Sequence, residues 1–476
     1  MRNERSHTKI IATIGPATRD KKILEMLFHE GVDVCRINCS HDTHEEHLKT
    51  IRHIRELNEE MGCHVAILAD LQGPKLRIGE MKDGAVELEE GQEFSFVTEY
   101  CIGNSKKAFL SYEALPGDVS PGEIILVDDG KLSFRVLESN GTDCVRTRVM
   151  NSGKLSNRKG VNLPHTKISL PSLTEKDIAD AQFVLDQHVD WIALSFVRRE
   201  QDVLDLREIV NAHPASSMII AKIEKPEALV EIDNIIQAAD GIMVARGDLG
   251  VEVDFHRVPL IQKDIIRRCI SASKPVIVAT QMMESMISNP TPTRAEANDV
   301  ANAVLDGADT VMLSGETSVG RYPVQTIRNM QKVIDSTETD EFCFYKEHPP
   351  VPESDTFLAD SICYNAVMMA RQVQAAAIIT LTFSGYTAFR ISSHRPRAPI
   401  YTFTMNKDLI RHLSLVWGVR TYYFKECHDV DEYIDYTINF LMDQKLLIKG
   451  DLVIHVGSIP ILEKGKTNMM KLTRIT

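Results

Sequence analysis

The residues fit for chemistry in this chain sit just past short apolar runs. Lys222 and Glu224 straddle the end of Met218–Ile223, two positions apart and therefore on one face of an extended segment. Asp248 follows Gly241–Arg246, Thr280 ends Pro275–Thr280, and Ser314-Gly315-Glu316 ends Thr310–Ser314. Arg36 lies in Val32–Asn38, which runs on into Cys39-Ser40-His41, and Asp70 closes Val65–Leu71. Glu224 and Asp248 are oxygen donors suited to a hard divalent cation. Arg36 and Lys222 suit the oxygens of a phosphate or an enolate. Gly247 and Asp248 open a polar turn whose backbone N–H groups could receive a carboxylate. A divalent ion and fixed positive charges at one point are what phosphoryl transfer requires, because its catalysis is mainly positioning and charge neutralisation.

Something must bring these ends together. With Lys9–Gly15 and Trp191–Phe196 the apolar runs number eight, each too short for an ordinary helix and rich in Val and Ile. Helical stripes lie between them: Ile23, Met26 and Leu27; Ile51, Ile54 and Leu57; Leu229, Ile232, Ile235 and Ile236; Ile261, Ile265 and Ile266; Val324, Ile327 and Ile334. Strands alternating with helices predict an α/β fold, a (β/α)₈ TIM barrel whose active site gathers at the C-terminal strand ends. The alternation breaks after Leu71 and resumes at Thr174-x-x-Asp177, a capping-box pattern opening Ile178–Leu185. Glycine-punctuated strand pieces, among them Glu93–Val97, Glu123–Val127 and Val145–Val149, predict an inserted small β-barrel domain there. Polar Ser336–Glu341 and the His348–Pro352 stretch read as a linker. Beyond it, the helix Phe357–Gln374 and strands Ala377–Thr382, Ile400–Thr404, Val419–Phe424 and Leu452–Gly457 predict a C-terminal α/β domain with a mostly parallel sheet. The expected boundaries are 1–72 with 165–338 for the barrel, 73–164 for the insert and 339–476 for the C-terminal domain.

The bulk numbers narrow the function class. The chain has 476 residues, 43% of them hydrophobic and 25% charged, as in a globular enzyme. A formal charge of −13 argues against nucleic acid or an anionic membrane as partner. Nine cysteines without a Cys-x-x-Cys pair, and the absence of a leader-like or membrane-length apolar stretch, point to the cytoplasm.

Seven blocks carry a family resemblance that covers nearly the whole chain. Thr8–Thr18 (TKIIATIGPAT), Asp70–Arg77 (DLQGPKLR), Met243–Gly250 (MVARGDLG) and Ala279–Met286 (ATQMMESM) resemble segments of pyruvate kinases, of the bacterial type. So do Pro292–Glu296, Asp299–Val304 and Met312–Thr317. The resemblance implies transfer of the phosphoryl group of phosphoenolpyruvate to ADP, giving pyruvate and ATP at the last step of glycolysis. It implies Mg²⁺ (or Mn²⁺) on Glu224 and Asp248, Lys222 stabilising the phosphoryl group and enolate, and Arg36 on the phosphate. Gly247, Asp248 and Thr280 match the carboxylate-binding group, and Thr280 also matches part of the enolate-protonating relay, with Ser314 and Glu316 further out. Asn38, Ser40, His41, Arg77 and Lys159 fall on nucleotide-side positions, the last two in the inserted domain, which closes over the mouth as a lid. A homotetramer with allosteric contacts is implied as well.

Two features refine this expectation. Family members that need K⁺ use residues matching Asn38, Ser40, Asp70 and the Leu71 carbonyl, and usually carry Thr at Leu71 and Glu at Lys75. Leu71 with Lys75 resembles the K⁺-independent branch, the Lys75 ammonium supplying the missing charge. In the C-terminal domain, Thr382, Ser384, Gly385, Tyr386 and Thr387 follow a strand and open a helix, matching a family loop that holds a phosphorylated effector with help from Ile459–Thr467. Gly465-Lys466-Thr467 mimics a P-loop end, but Pro460 stands where its first Gly belongs and a strand-like segment follows. His41, His44 and His47 suggest metal spacing without a further ligand cluster, and His44 and His47 read as a solvated helix face. Cys35 and Cys39 read as packed thiols. The rival readings are a metal-dependent barrel aldolase or phosphomutase acting on phosphoenolpyruvate or pyruvate, which needs no nucleotide, and an inactive metabolite sensor, which would not retain Lys222, Glu224 and Thr280.

Overall fold

The computed structural model describes residues 6–164, 166–425, 429–460 and 467–476. Eight parallel strands close into one barrel: β1 Lys9–Thr13, β2 Val34–Asn38, β3 Ala66–Asp70, β4 Trp191–Val197, β5 Met218–Ile223, β6 Gly241–Ala245, β7 Val276–Ala279 and β8 Thr310–Leu313. Each strand pairs with its sequence neighbours and β8 returns to β1, Lys9 opposite Thr310. Alternate strand residues fill the interior, where Ile11, Leu68, Trp191, Ile220, Met243 and Met312 pack together. The others face a ring of helices.

Helix ends follow the local chemistry. Thr174 and Asp177 make the expected reciprocal cap, as do Thr293 and Glu296 at Arg294–Asp306. The phase of the first helix, Lys21–Glu30, differs from expectation: Leu24, Leu27 and Phe28 are buried, while Met26 is 49% exposed. Apolar residues fill both candidate stripes there, so docking on the barrel decides between them.

Between β3 and β4 the chain leaves the barrel at Gly73, whose φ of +68° favours glycine and whose Cβ, if present, would lie 2.7 Å from the Phe196 ring. The insert holds its own core around Phe94, Phe96 and Phe134. Its strands form a six-stranded sheet, ordered Val161–Asn162, Ile124–Val127, Leu132–Ser139, Cys144–Val149, Glu93–Val97 and Lys107–Phe109. A two-stranded sheet, Gly153–Ser156 with Ala85–Leu88, lies beside it, and isolated bridges such as Arg77 with Gly160 supplement the pairing.

The C-terminal sheet is ordered β11 Val419–Tyr423, β10 Ile400–Thr404, β9 Ala377–Leu381, β12 Leu452–Gly457 and β13 Met469–Arg474, parallel except for β13. It is fastened to the barrel floor. Leu415 packs into the barrel interior, and its carbonyl accepts the Thr310 hydroxyl at 2.9 Å. The expected linker is not loose: Ser336 and Thr337 finish the helix Pro323–Thr337, and the buried Glu338 carboxylate accepts the His7 and Thr8 N–H groups, each at 2.7 Å. Polar composition misleads there because backbone donors satisfy the carboxylate.

One buried ion pair ties the two units. Arg395 Nη2 lies 2.7 Å from Asp309 Oδ2, both side chains at most 3% exposed, and the guanidinium covers the Trp417 ring. Asp309 also accepts N–H bonds from Val276 and Trp417. Removing one partner strands a charge in apolar surroundings, which costs about 3–5 kcal/mol. Asp309→Ala should therefore lower the urea-denaturation midpoint sharply, and adding Arg395→Met should restore part of the loss.

Candidate active site

Charges of alternating sign line the C-terminal end of the barrel. Arg36, on β2, donates from Nε to Asp70 Oδ2 at 2.7 Å and from Nη1 to the Thr13 hydroxyl at 2.9 Å. Lys222, on β5, stands 3.1 Å from the other Asp70 oxygen and 2.9 Å from Glu224 Oε1. Its ammonium also donates to Ser195 Oγ at 2.7 Å, and Ser195 donates to the Leu71 carbonyl at 2.6 Å. Glu224 Oε2 accepts the Phe196 N–H at 2.9 Å. Phe196 has a φ of +56°, a strained backbone position of the sort that collects at functional sites.

Burial and mutual attraction compete in these ionisations. Burial alone would raise the Asp70 carboxyl, but Lys222 and Arg36 outweigh it and hold the group low. Burial disfavours the Lys222 ammonium, yet Asp70 and Glu224 together raise it despite Arg36. Glu224 is raised, chiefly by burial; Lys222 opposes this, while the Asp248 and Asp70 charges add to it. Its carboxylate is thus held where more positive charge is wanted, a donor set that fits a divalent cation.

Asp248 and Gly247 lie in a short helix, Arg246–Glu252, that begins where β6 ends. The Gly247 N–H, expected to be open to a carboxylate, donates to the Thr280 hydroxyl oxygen at 2.7 Å, and that hydroxyl donates to the Ala279 carbonyl at 2.6 Å. Thr280 has a φ of +69°, an outlier for a β-branched residue. Arg246 braces it, donating to the Thr280 carbonyl at 2.6 Å while paired with Asp299 at 2.7 Å. Ser314 and Glu316 serve the same loops: the buried Glu316 carboxylate accepts N–H groups of Ser314 and Met283.

The inserted domain faces this mouth across a cavity of about 840 Å³, lined by Lys75, Asp129, Arg246, Asp248, Gln281 and Asp299 among others. Asn38 Oδ1 accepts the Ser40 N–H at 3.1 Å. His41 is held below its usual range by partial burial and by the charges of Arg77, Lys75 and Arg36, so a cationic group gathers at this edge. Lys75 is exposed, and Lys159 pairs with Asp128 at 2.9 Å.

Comparison with known proteins bears on what this arrangement does. A model described as pyruvate kinase, barrel domain, matches residues 5–327, and one described as pyruvate kinase, alpha/beta domain, matches 360–473. The chain is 45% identical over 474 residues to the pyruvate kinase of Geobacillus stearothermophilus, covering 98% of this chain and 79% of that one. It is 41% identical to that of Staphylococcus aureus strain MRSA252, covering 98% and 80%. A crystal structure of a pyruvate kinase from Cryptosporidium parvum superposes with a TM-score of 0.92 at 38% identity, covering 99% and 97%.

The chain belongs to the pyruvate kinase family.

It moves the phosphoryl group of phosphoenolpyruvate to ADP, yielding pyruvate and ATP. The family works with Mg²⁺ and, in general, K⁺. Neither an aldolase or phosphomutase nor an inactive sensor finds support in these likenesses. Among the described residues no helix is long and apolar enough to cross a membrane.

Other expectations fare differently. His47 is buried at 6% exposure rather than solvated, whereas His44 is exposed as expected, bonding Asp180 and stacking on Phe183. Among the described residues no group of three or more acids, histidines or cysteines is placed to hold a metal. Burial pushes the Cys35 and Cys39 thiols up, as packed thiols require. Gly465 and Lys466 lie outside the described residues, and the following strand, β13, is antiparallel. Ser195 escaped sequence reasoning because an uncharged residue ending β4 gives no charge signal, although the rule of strand ends points to it. Lys225, Glu252 and Asn162 escaped as well.

Proposed function

We propose that Lys222, Arg36 and Thr280 carry the chemistry and that Glu224 and Asp248 hold Mg²⁺, or Mn²⁺ in its place. The supporting observation is the ammonium of Lys222 fixed between two buried carboxylates, Asp70 and Glu224, with Ser195 as a third anchor. A rigid positive charge there meets the phosphoryl group as its bond to the enolate oxygen breaks and a bond to the terminal oxygen of ADP forms. The divalent ion, when bound, neutralises phosphoryl and enolate oxygens. Arg36 neutralises phosphate charge, Gly247, Asp248 and Thr280 receive the substrate carboxylate, and the Thr280 hydroxyl belongs to the path that protonates the enolate to pyruvate. Substrate carboxylate would take over the Gly247 N–H from Thr280. Asn38, Ser40, His41, Arg77 and Lys159 face the nucleotide, and a lid spanning 73–164 excludes the water that would otherwise accept the phosphoryl group.

Three further assignments belong to this reading. K⁺ is dispensable: of the positions matching its site, the Asp70 oxygens already face two cations and the Leu71 carbonyl already accepts Ser195, while Lys75 adds charge at the mouth. A phosphorylated effector binds at Thr382, Ser384, Gly385, Tyr386 and Thr387, where the Gly385 N–H meets Thr382 Oγ1 at 3.0 Å and a helix starts at Tyr386. The enzyme acts in the cytoplasm as a homotetramer, a reading consistent with apolar Phe255 and Leu260 exposed at 82% and 72%.

Lys222→Met should lower kcat at least about a hundredfold, since it deletes charge stabilisation in the transition state, and should also lower the melting temperature, because the buried Asp70 and Glu224 carboxylates lose their shared cation. Glu224→Gln should abolish Mg²⁺-dependent turnover in the same coupled assay of ADP-dependent pyruvate release; near-normal Mg²⁺ response would refute the metal assignment. In K⁺-free buffer with Mg²⁺ the native enzyme should keep near-full activity, and many-fold stimulation by added K⁺ would overturn that part. Ser384→Glu should erase activation by sugar phosphates, whereas an unchanged response removes the effector loop from the account.

A further inference from the structure

A buried charge pair in the barrel meets a side chain of the lid and has no task in the reading above. Lys225, next to Glu224, places Nζ 2.7 Å from Glu252 Oε1, with side chains 6% and 1% exposed. Glu252 is the last residue of the Arg246–Glu252 helix that carries Gly247 and Asp248. The same Oε1 accepts Asn162 Nδ2 at 2.8 Å, and Asn162 belongs to the lid, on the edge strand Val161–Asn162. Just upstream on that segment Lys159 precedes Gly160, which bridges to Arg77. Val251, one residue before Glu252, lies 3.9 Å from where a Cβ would stand on the lid residue Gly130. Two successive helix residues therefore face the lid. Among the described residues the second Glu252 oxygen is buried with no hydrogen-bond partner. Lys225 and Asn162 therefore meet on a single carboxylate oxygen, so the lid contact and the barrel ion pair share one atom.

We propose that Asn162, Glu252 and Lys225 form a latch for the lid. Closure sets Asn162 on Glu252, which seats the helix bearing Asp248 and, through Lys225, the turn bearing Glu224, as Arg77 and Lys159 arrive over the nucleotide. These are positioning residues, and the proposal rests on the assignment of Glu224 and Asp248 to the metal and of Arg77 and Lys159 to ADP.

The test uses the full-length enzyme carrying Asn162→Ala, Asn162→Asp, or Asn162→Asp combined with Glu252→Gln, with half-saturating ADP and Mg²⁺, kcat and melting temperature as readouts. Asn162→Ala should raise half-saturating ADP and Mg²⁺ together by about tenfold, the worth of one hydrogen bond to a charged group, with the melting temperature unchanged. Asn162→Asp should do more, because two carboxylates then face each other. Adding Glu252→Gln should recover most of that loss, since carboxylate and amide have traded places across the contact. Unchanged ADP and Mg²⁺ requirements in Asn162→Ala, or a folded double variant with no recovery, would overturn the latch. If the double variant does not fold, Asn162→Ala decides alone. Failure of the underlying site is separable: there Glu224→Gln itself would retain its Mg²⁺ response, whereas a failed latch leaves Glu224→Gln defective and Asn162→Ala normal.

Discussion

Asp70 is the residue on which the site turns. Its carboxylate, 1% exposed at the end of β3, holds Arg36 on one oxygen and faces Lys222 across the other. Neither cation would sit at its position, nearly stripped of water, without that anion between them, because their mutual repulsion would drive them apart. Glu224 extends the alternation by one more charge, and the order along the rim is positive, negative, positive, negative. Geometry this rigid comes from the barrel: parallel strands in fixed register put Asn38 level with Asp70 and Lys222 level with Met243, so the charged side chains cannot drift relative to one another.

Strain supports the same end of the molecule. Thr280, just past β7, and Phe196, in the irregular last part of β4, both have positive φ. Each is secured by a charged group, Thr280 through Arg246 and Phe196 through the Glu224 carboxylate. The cost of such backbone, of order 1–3 kcal/mol per residue, is offset by contacts that also order the charged groups at the strand ends. Stability and positioning are here supplied by the same bonds.

Much of this was legible in the residues. Strands buried on both faces leave runs of Val and Ile that no ordinary loop or exposed helix carries, and β5, Met218–Ile223, is bounded as its apolar run suggests. Arg36, Lys222 and Glu224 were visible because charges recur at several strand ends at once, and the structure sets Arg36 and Lys222 on Asp70 and Lys222 on Glu224. Other features depend on partners remote in sequence. Whether Leu24 or Met26 faces inward is set by docking, since both fit a helix. The buried Glu338 looked like linker because its partners, the His7 and Thr8 N–H groups, come from the opposite end of the chain. Asn162 and Glu252 lie in different structural units, and no periodicity links them.

The floor of the barrel is furnished from its far neighbour in sequence. Leu415 packs inside against residues such as Trp191, and His7 stacks on Trp417 at 4.4 Å. During synthesis the charged rim is therefore translated long before the stopper beneath it. Until that later segment leaves the ribosome, the lower end of the barrel has apolar surface with nothing to cover it, so the C-terminal unit acts first as the piece that completes folding and only afterwards as a partner in the finished enzyme.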